Sequence, residues 1–108
     1  MKTVLVSCRL YRHPFPGDCT FRVKFSDGGD YVGVASFRYC LHLDRSPFAT
    51  ETLKLNGRVD GLLVAILIDD EEPLDVVRIE VPNGQVICVR RDQVKYTREE
   101  VVVWEEFT

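Results

Sequence analysis

The chain has no long hydrophobic segment; its longest apolar run, residues 62–68, is seven residues. A membrane-spanning helix needs about 20 apolar residues, so no such span is expected and a membrane partner is set aside. The apolar part of the N-terminus, residues 4–6, is shorter than a secretory core region, and Arg9 follows closely. The expectation is a cytoplasmic protein. The four cysteines, Cys8, Cys19, Cys40 and Cys88, include no C-x-x-C pair, which removes a thioredoxin-type redox motif and a zinc ribbon. No internal repeat or low-complexity tract is present. Neither sign of charge dominates: 14 Lys and Arg against 17 Asp and Glu leave a net charge of −3, too mild to dictate a partner.

What remains is ordinary globular composition, 45% hydrophobic and 29% charged over 108 residues. That length predicts one domain. A chain of this size buries roughly two-thirds of its unfolded surface and needs no metal or disulfide staple. The charge is uneven along the chain. Residues 1–54 carry 8 basic and 5 acidic side chains, and residues 55–108 carry 6 and 12, giving +3 and −6. Such asymmetry steers an acidic ligand to the first half or favours head-to-tail association; charged strand exteriors account for it equally well.

Residues 57–91 organise the chain. The run at 62–68 is closed by Asp69, Asp70, Glu71, Glu72 and Pro73 after about a strand's length. Residues 75–81 then alternate, with Val77, Ile79 and Val81 on one face and Arg78 and Glu80 on the other. Asn83 and Gly84 tolerate the positive φ of a tight hairpin turn. A two-residue turn there places Val81 opposite Val86 and Ile79 opposite Cys88, all on one buried face. The run at 62–68 is apolar on both faces, as in a strand covered on both sides or lying where a curled sheet closes. Gly57 and Gly61 near its start suit a bend or bulge. Arg91, Asp92 and Gln93 read as a short turn before a strand at 94–96.

The opening strand at Gly57, Arg58 and Val59, the hairpin over residues 81–86 and the turn over residues 90–94 together resemble the SH3-like barrel superfamily, which includes Tudor-type and KOW-type modules. The likeness covers about a third of the chain and implies a small curled antiparallel sheet. It departs from methyl-ligand readers in lacking an aromatic cage, since only Tyr96 and Trp104 follow the barrel-like part. No functional residue is carried over.

The first half alternates from the start. Val4, Val6, Cys8 and Leu10 share one face; Leu5, Ser7, Arg9 and Tyr11 share the other. Two prolines at 14 and 16 make a loop. Cys19, Phe21, Val23 and Phe25 then oppose Thr20, Arg22 and Lys24. The hairpin at 27–30 has two readings: a two-residue loop pairs Phe25 with Val32, and a five-residue loop pairs it with Tyr31, flipping the third strand. The phase shifts near 36–38, which suggests a bulge. Residues 37–43 then read as strand, with Tyr39, Leu41 and Leu43 on one face. Residues 49–53 suit one helical turn, and residues 101–104 suit a last strand guarded by flanking glutamates. The predicted fold is a single all-β, barrel-like antiparallel domain over 1–108, of six to eight strands: an N-terminal three-stranded meander (1–43), a connecting loop (44–56) and a barrel-like segment (57–108).

Three patterns bear on function. Arg9 and Tyr11 on the first strand, Arg22 and Lys24 on the second, Arg12 near the turn and Arg38 beyond it form a basic face with an aromatic, the arrangement by which sheets bind single-stranded nucleic acid. A solvated outer face would carry the same residues. Cys40 and His42, at i and i+2, put two zinc-ligand types on one strand face, with His13 and another cysteine as further candidates; cysteine alternating with core residues also packs as a small hydrophobe. A disulfide between Cys8 and Cys19 is geometrically possible across the first hairpin but is not expected in a reducing compartment. The acidic residues 69–72 suit a divalent cation less well than a solvated turn. No reactive constellation stands out, and no cofactor is implied. The function expected is non-catalytic binding or assembly through protein contacts or self-association; nucleic-acid binding and a small zinc or thiol site are the alternatives.

Overall fold

The central apolar run forms the heart of β5 (Arg58–Asp70) in a computed structural model that describes residues 2–48, 57–70 and 75–95. Its partners are β1 (Lys2–Arg12), β2 (Asp18–Lys24), β3 (Asp30–Ser36), β4 (Cys40–Leu41), β6 (Val76–Glu80), β7 (Val86–Arg90) and β8 (Val94–Lys95). Every pairing is antiparallel, in the order β3-β2-β1-β5-β6-β7, with β4 added to β5 and β8 to β1. The first three strands are the expected meander.

The sheet curls into a nearly closed barrel because β1 is shared. Its Leu5 and Val6 pair with β8, while Arg9 through Arg12 pair with β2. β8 follows β7 after a single 3-10 turn, Arg91–Gln93, so the path returns to β1. Two hydrogen bonds tie the seam. The Ser26 N–H donates to the Cys88 carbonyl at 3.0 Å, and Gln93 Nε2 donates to the Lys24 carbonyl at 3.0 Å.

The alternation read from sequence decides what faces inward. Val4, Val6, Leu10, Phe21, Val23, Leu63, Ala65, Val77, Ile79 and Val89 fill the interior. Leu5, Leu62 and Val64 point the other way and are buried against Leu41 in a second cluster, with Tyr39 packed on it. Residues 62–66 of β5 are therefore buried on both faces, and full burial of one such side chain is worth about 1.5–3 kcal/mol. The irregularity in β5 lies between Leu67 and Asp69 rather than at a glycine. Gly61 serves close approach instead: a Cβ there would stand 2.8 Å from the Leu41 carbonyl oxygen and 2.8 Å from Leu10 Cδ1.

Both hairpin registers differ from expectation for one reason. At β6–β7 the Gly84 N–H donates to the Val81 carbonyl and the Val81 N–H to the Gln85 carbonyl, each at 2.9 Å. The loop is thus three residues, with Gly84 at φ +91°. A two-residue loop would pair Pro82 with Gln85, and proline has no N–H to give. Ile79 consequently opposes Ile87, and Val86 and Cys88 turn outward. The β2–β3 turn is built alike: Phe25 N–H bonds to Gly29 and Gly28 N–H to Phe25, with Gly28 at φ +100°. Val23 therefore opposes Tyr31, a register neither sequence reading gave, though the faces are those of the longer loop.

The strand expected over residues 37–43 is mostly absent. Phe37–Tyr39 is a 3-10 turn whose Arg38 N–H is capped by Ser36 Oγ at 3.4 Å, and only Cys40 and Leu41 pair with β5. Leu43 is 63% exposed while Leu41 is buried, so the proposed shared face does not exist. The phase change at 36–38 marked this turn. The helical turn predicted at 49–53, the strand at 101–104, Tyr96, and Glu71 and Glu72 lie outside the described residues.

Candidate functional site

Register brings most of the basic–aromatic set together. Arg9 on β1 sits directly opposite Arg22 on β2, and Lys24 follows on the same face. Like charges opposed across a ladder repel, so each needs compensation. Arg9 Nε donates to Asp60 Oδ1 at 3.2 Å, across the ladder to β5. Its guanidinium is held above its ordinary pKa first by that bond, then by a hydrogen bond to Tyr11. Arg22 lies 3.9 Å from Asp30 and places its guanidinium carbon 5.5 Å from the Tyr11 ring centre.

Arg9, Arg22, Lys24, Asp30 and Asp60 wall a groove of about 650 Å³, which β7 and the turn after it complete with Arg90, Asp92 and Gln93. Ser7, Cys8 and Gly61 form its floor where β1 passes from pairing with β8 to pairing with β2. Arg90 bonds Asp92 at 2.7 Å. Four cations, Arg9, Arg22, Lys24 and Arg90, thus meet three carboxylates, Asp30, Asp60 and Asp92. The excess over the carboxylates is a single cation, a weaker draw on a polyphosphate chain than an all-basic face. Arg38 stands apart on the 37–39 turn, over the Tyr39 ring at 5.5 Å, and does not line the groove. Arg12 is at the end of β1, its N–H bonded to the Gly57 carbonyl at 3.2 Å.

The thiol and imidazole candidates separate. β4 ends at Leu41, so His42 leaves the strand and stacks on Phe48, ring centres 4.8 Å apart. His13 Nδ1 accepts from the Phe15 N–H at 3.2 Å in the loop after β1. Cys40 turns inward to Cys19, with sulfurs 2.9 Å apart. Cys19 therefore neighbours Cys40, whereas the hairpin reading paired it with Cys8; in the ladder Cys19 opposes Arg12. Among the described residues no three His, Cys, Asp or Glu side chains are arranged to hold a metal ion. Burial, then the neighbouring Cys19 and Asp60, push the Cys8 thiol pKa far up, so it is protonated at neutral pH and a poor nucleophile. Asp69 is taken by Arg78 at 2.6 Å.

The groove's carboxylates and Arg90 escaped sequence reasoning. They are remote in sequence from β1 and meet it only through the sheet order, which no local pattern carries. Comparison with protein-family models, with curated proteins and with solved structures finds no match. No helix among the described residues is long and apolar enough to cross a membrane.

Proposed function

We propose that this chain is a non-catalytic assembly module that self-associates along the outer edge of β3. The observation that carries this reading is the state of that strand. Its seven residues end the sheet path, and no described strand pairs with its outer edge. Val32 and Val34 are 51% and 40% exposed on its outer face. Edge strands are usually guarded by lysine, proline or a bulge, and β3 has none of these.

The ladder phase supports a particular partner. Val23 and Tyr31, Phe21 and Gly33, and Cys19 and Ala35 are paired in phase with the hydrogen-bonded Phe25–Gly29 pair at the turn. Odd-numbered residues of β3 therefore bond to β2, and Asp30, Val32, Val34 and Ser36 aim their N–H and C=O groups outward. A second copy related by a two-fold axis at Gly33 sets Val32 opposite Val34 and Asp30 opposite Ser36. Every outward group then finds a partner, the four valines form one patch, and no like charges meet. The SH3-like likeness fits the long β5, the β6–β7 hairpin and the 3-10 turn into β8. We infer that the barrel belongs to that superfamily and works in the cytoplasm, where reduced thiols are the resting state.

Light scattering over a dilution series up to about 1 mM, the range of weak interfaces, tests the reading. The wild type should shift from monomer to dimer. Val34→Pro should stay monomeric with unchanged circular dichroism, because the lost N–H faces outward. A wild type that is monomeric throughout overturns it. Nucleic-acid binding is the second reading, favoured by Arg9, Arg22 and Lys24 sharing one groove, with the Tyr11 ring beside Arg22. Salt-dependent binding of single-stranded RNA, lost on Arg22→Ala, would establish it.

A further inference from the structure

The assembly reading leaves the interior thiols unused, and their placement is specific. Cys19 and Cys40 are both fully buried, with sulfurs 2.9 Å apart. Two separate ladders hold them there. Cys19 is pinned between Arg12 of β1 and Ala35 of β3, and Cys40 opposes Leu63 of β5. A sulfur–sulfur bond is about 2.05 Å, so closing it needs less than about 1 Å of travel. Cys88 is exposed, and Cys8 is half-buried on the groove floor.

We propose that Cys19 and Cys40 are a reversible oxidation site, forming a disulfide that ties β2 to β4 across the barrel interior. With glutathione disulfide as the oxidant, one cysteine thiolate attacks it. A protein–glutathione bond forms, and one glutathione thiolate leaves and takes up a proton. The second cysteine, losing its proton, attacks the protein sulfur of that mixed disulfide. The protein disulfide closes and a second glutathione leaves. Two thiols are oxidised and one small disulfide is reduced to two thiols, so the exchange balances.

The surroundings set the character of this site. The hydrogen bond to Cys19, then burial, hold the Cys40 thiol well above its ordinary pKa, which keeps it protonated and slow to react. Exchange therefore proceeds when the barrel opens transiently, so the fold limits the rate as well as setting the equilibrium. Because the folded state brings the sulfurs together, it favours the disulfide, and the disulfide favours the folded state by the same factor.

The test equilibrates the full chain in glutathione buffers of stepped composition, in native buffer and in concentrated urea, with acid quench, alkylation and peptide mapping by mass spectrometry. Native protein should form the Cys19–Cys40 link at an oxidant ratio at least about tenfold lower than in urea. Cys8 and Cys88 should remain alkylatable, and Cys8→Ala should leave the link unchanged. A link no more favoured in native buffer than in urea, or one that consumes Cys8, overturns the proposal. The wild-type comparison decides this even where a core variant fails to fold, and it is independent of whether the protein dimerises.

Discussion

β5 and β3 are valine-bearing strands of one sheet with opposite duties. β5 is paired along both edges, with β1 on one side and with β4 and β6 on the other, and residues 62–66 are buried on both faces. β3 is paired along one edge among the described residues and buried on one face only. The same residue type is ballast in the first and a free surface in the second. Which it is follows from sheet order rather than from composition. The largest expected effect comes from breaking the central strand. Leu63→Ala should cost about 2–5 kcal/mol by urea unfolding, since it opens a cavity where β1, β4 and β5 meet. Val34→Ala should stay within about 0.5 kcal/mol.

The glycines sharpen the contrast. A Cβ on Gly61 would meet the backbone oxygen of Leu41 at 2.8 Å, and backbone cannot yield without disturbing β4. On Gly33 it would meet side-chain atoms, Phe21 Cζ at 2.7 Å and Asn83 Nδ2 at 2.9 Å, and β3, unpaired on its outer edge among the described residues, can shift away from them. Gly61→Ala should therefore destabilise by about 1–3 kcal/mol, and Gly33→Ala by clearly less, partly offset by the stiffer unfolded chain. Equal losses would show that the crowding at the two strands is the same.

Alkaline titration tests the seam between the two regions, where Cys40 of β4 touches Cys19 of β2. Cys40 holds its proton in the folded state far above the ordinary thiol value of about 8.5. The unfolded chain releases that proton first, so the folded state binds more protons at high pH. Stability from this group is complete below about pH 8.5 and falls as pH rises further, at up to about 1.4 kcal/mol per unit. Between pH 9 and 10 the wild type should lose about 1 kcal/mol more than Cys40→Ala. Parallel curves would remove the thiol as the cause.

Local pattern made much of this legible. The alternation of Val4, Val6 and Leu10, of Cys19, Phe21 and Val23, and of Val77 and Ile79 assigned the inward faces correctly, and the two-sided run at 62–68 announced the central strand. Registers were not legible, because one residue decides each. Pro82 cannot donate, so the Asn83–Gly84 hairpin takes a third loop residue and Val86 turns outward. The phase break at Ser36 was visible, but a 3-10 turn and a bulge disturb alternation alike. The groove was half legible: Arg9, Arg22 and Lys24 came from strand faces, while Asp60 and Arg90 needed the sheet order. Cys19 and Cys40 were hidden for the same reason, being 21 residues apart on β2 and β4, strands that do not pair with each other.

The smallest expected energies carry the finest test of the open strand. Under the two-fold arrangement Val32 opposes Val34 of the second copy, and each cross-strand pair contributes roughly 0.2–1 kcal/mol. Replacing Val32 and Val34 both by lysine puts like charges across each pair and should abolish association. Val32→Lys combined with Val34→Glu puts opposite charges across the same pairs and should retain it, with a dimer that weakens as salt rises. Because both side chains point to solvent in the monomer, urea midpoints of the two double variants should agree within about 0.5 kcal/mol. A two-fold at Val32 would instead set position 34 against Asp30 and each residue 32 against its own copy, which makes the Lys–Glu variant the weaker of the two. Association kept by the Lys–Glu variant and lost by the double-lysine variant, at equal monomer stability, therefore locates the axis at Gly33.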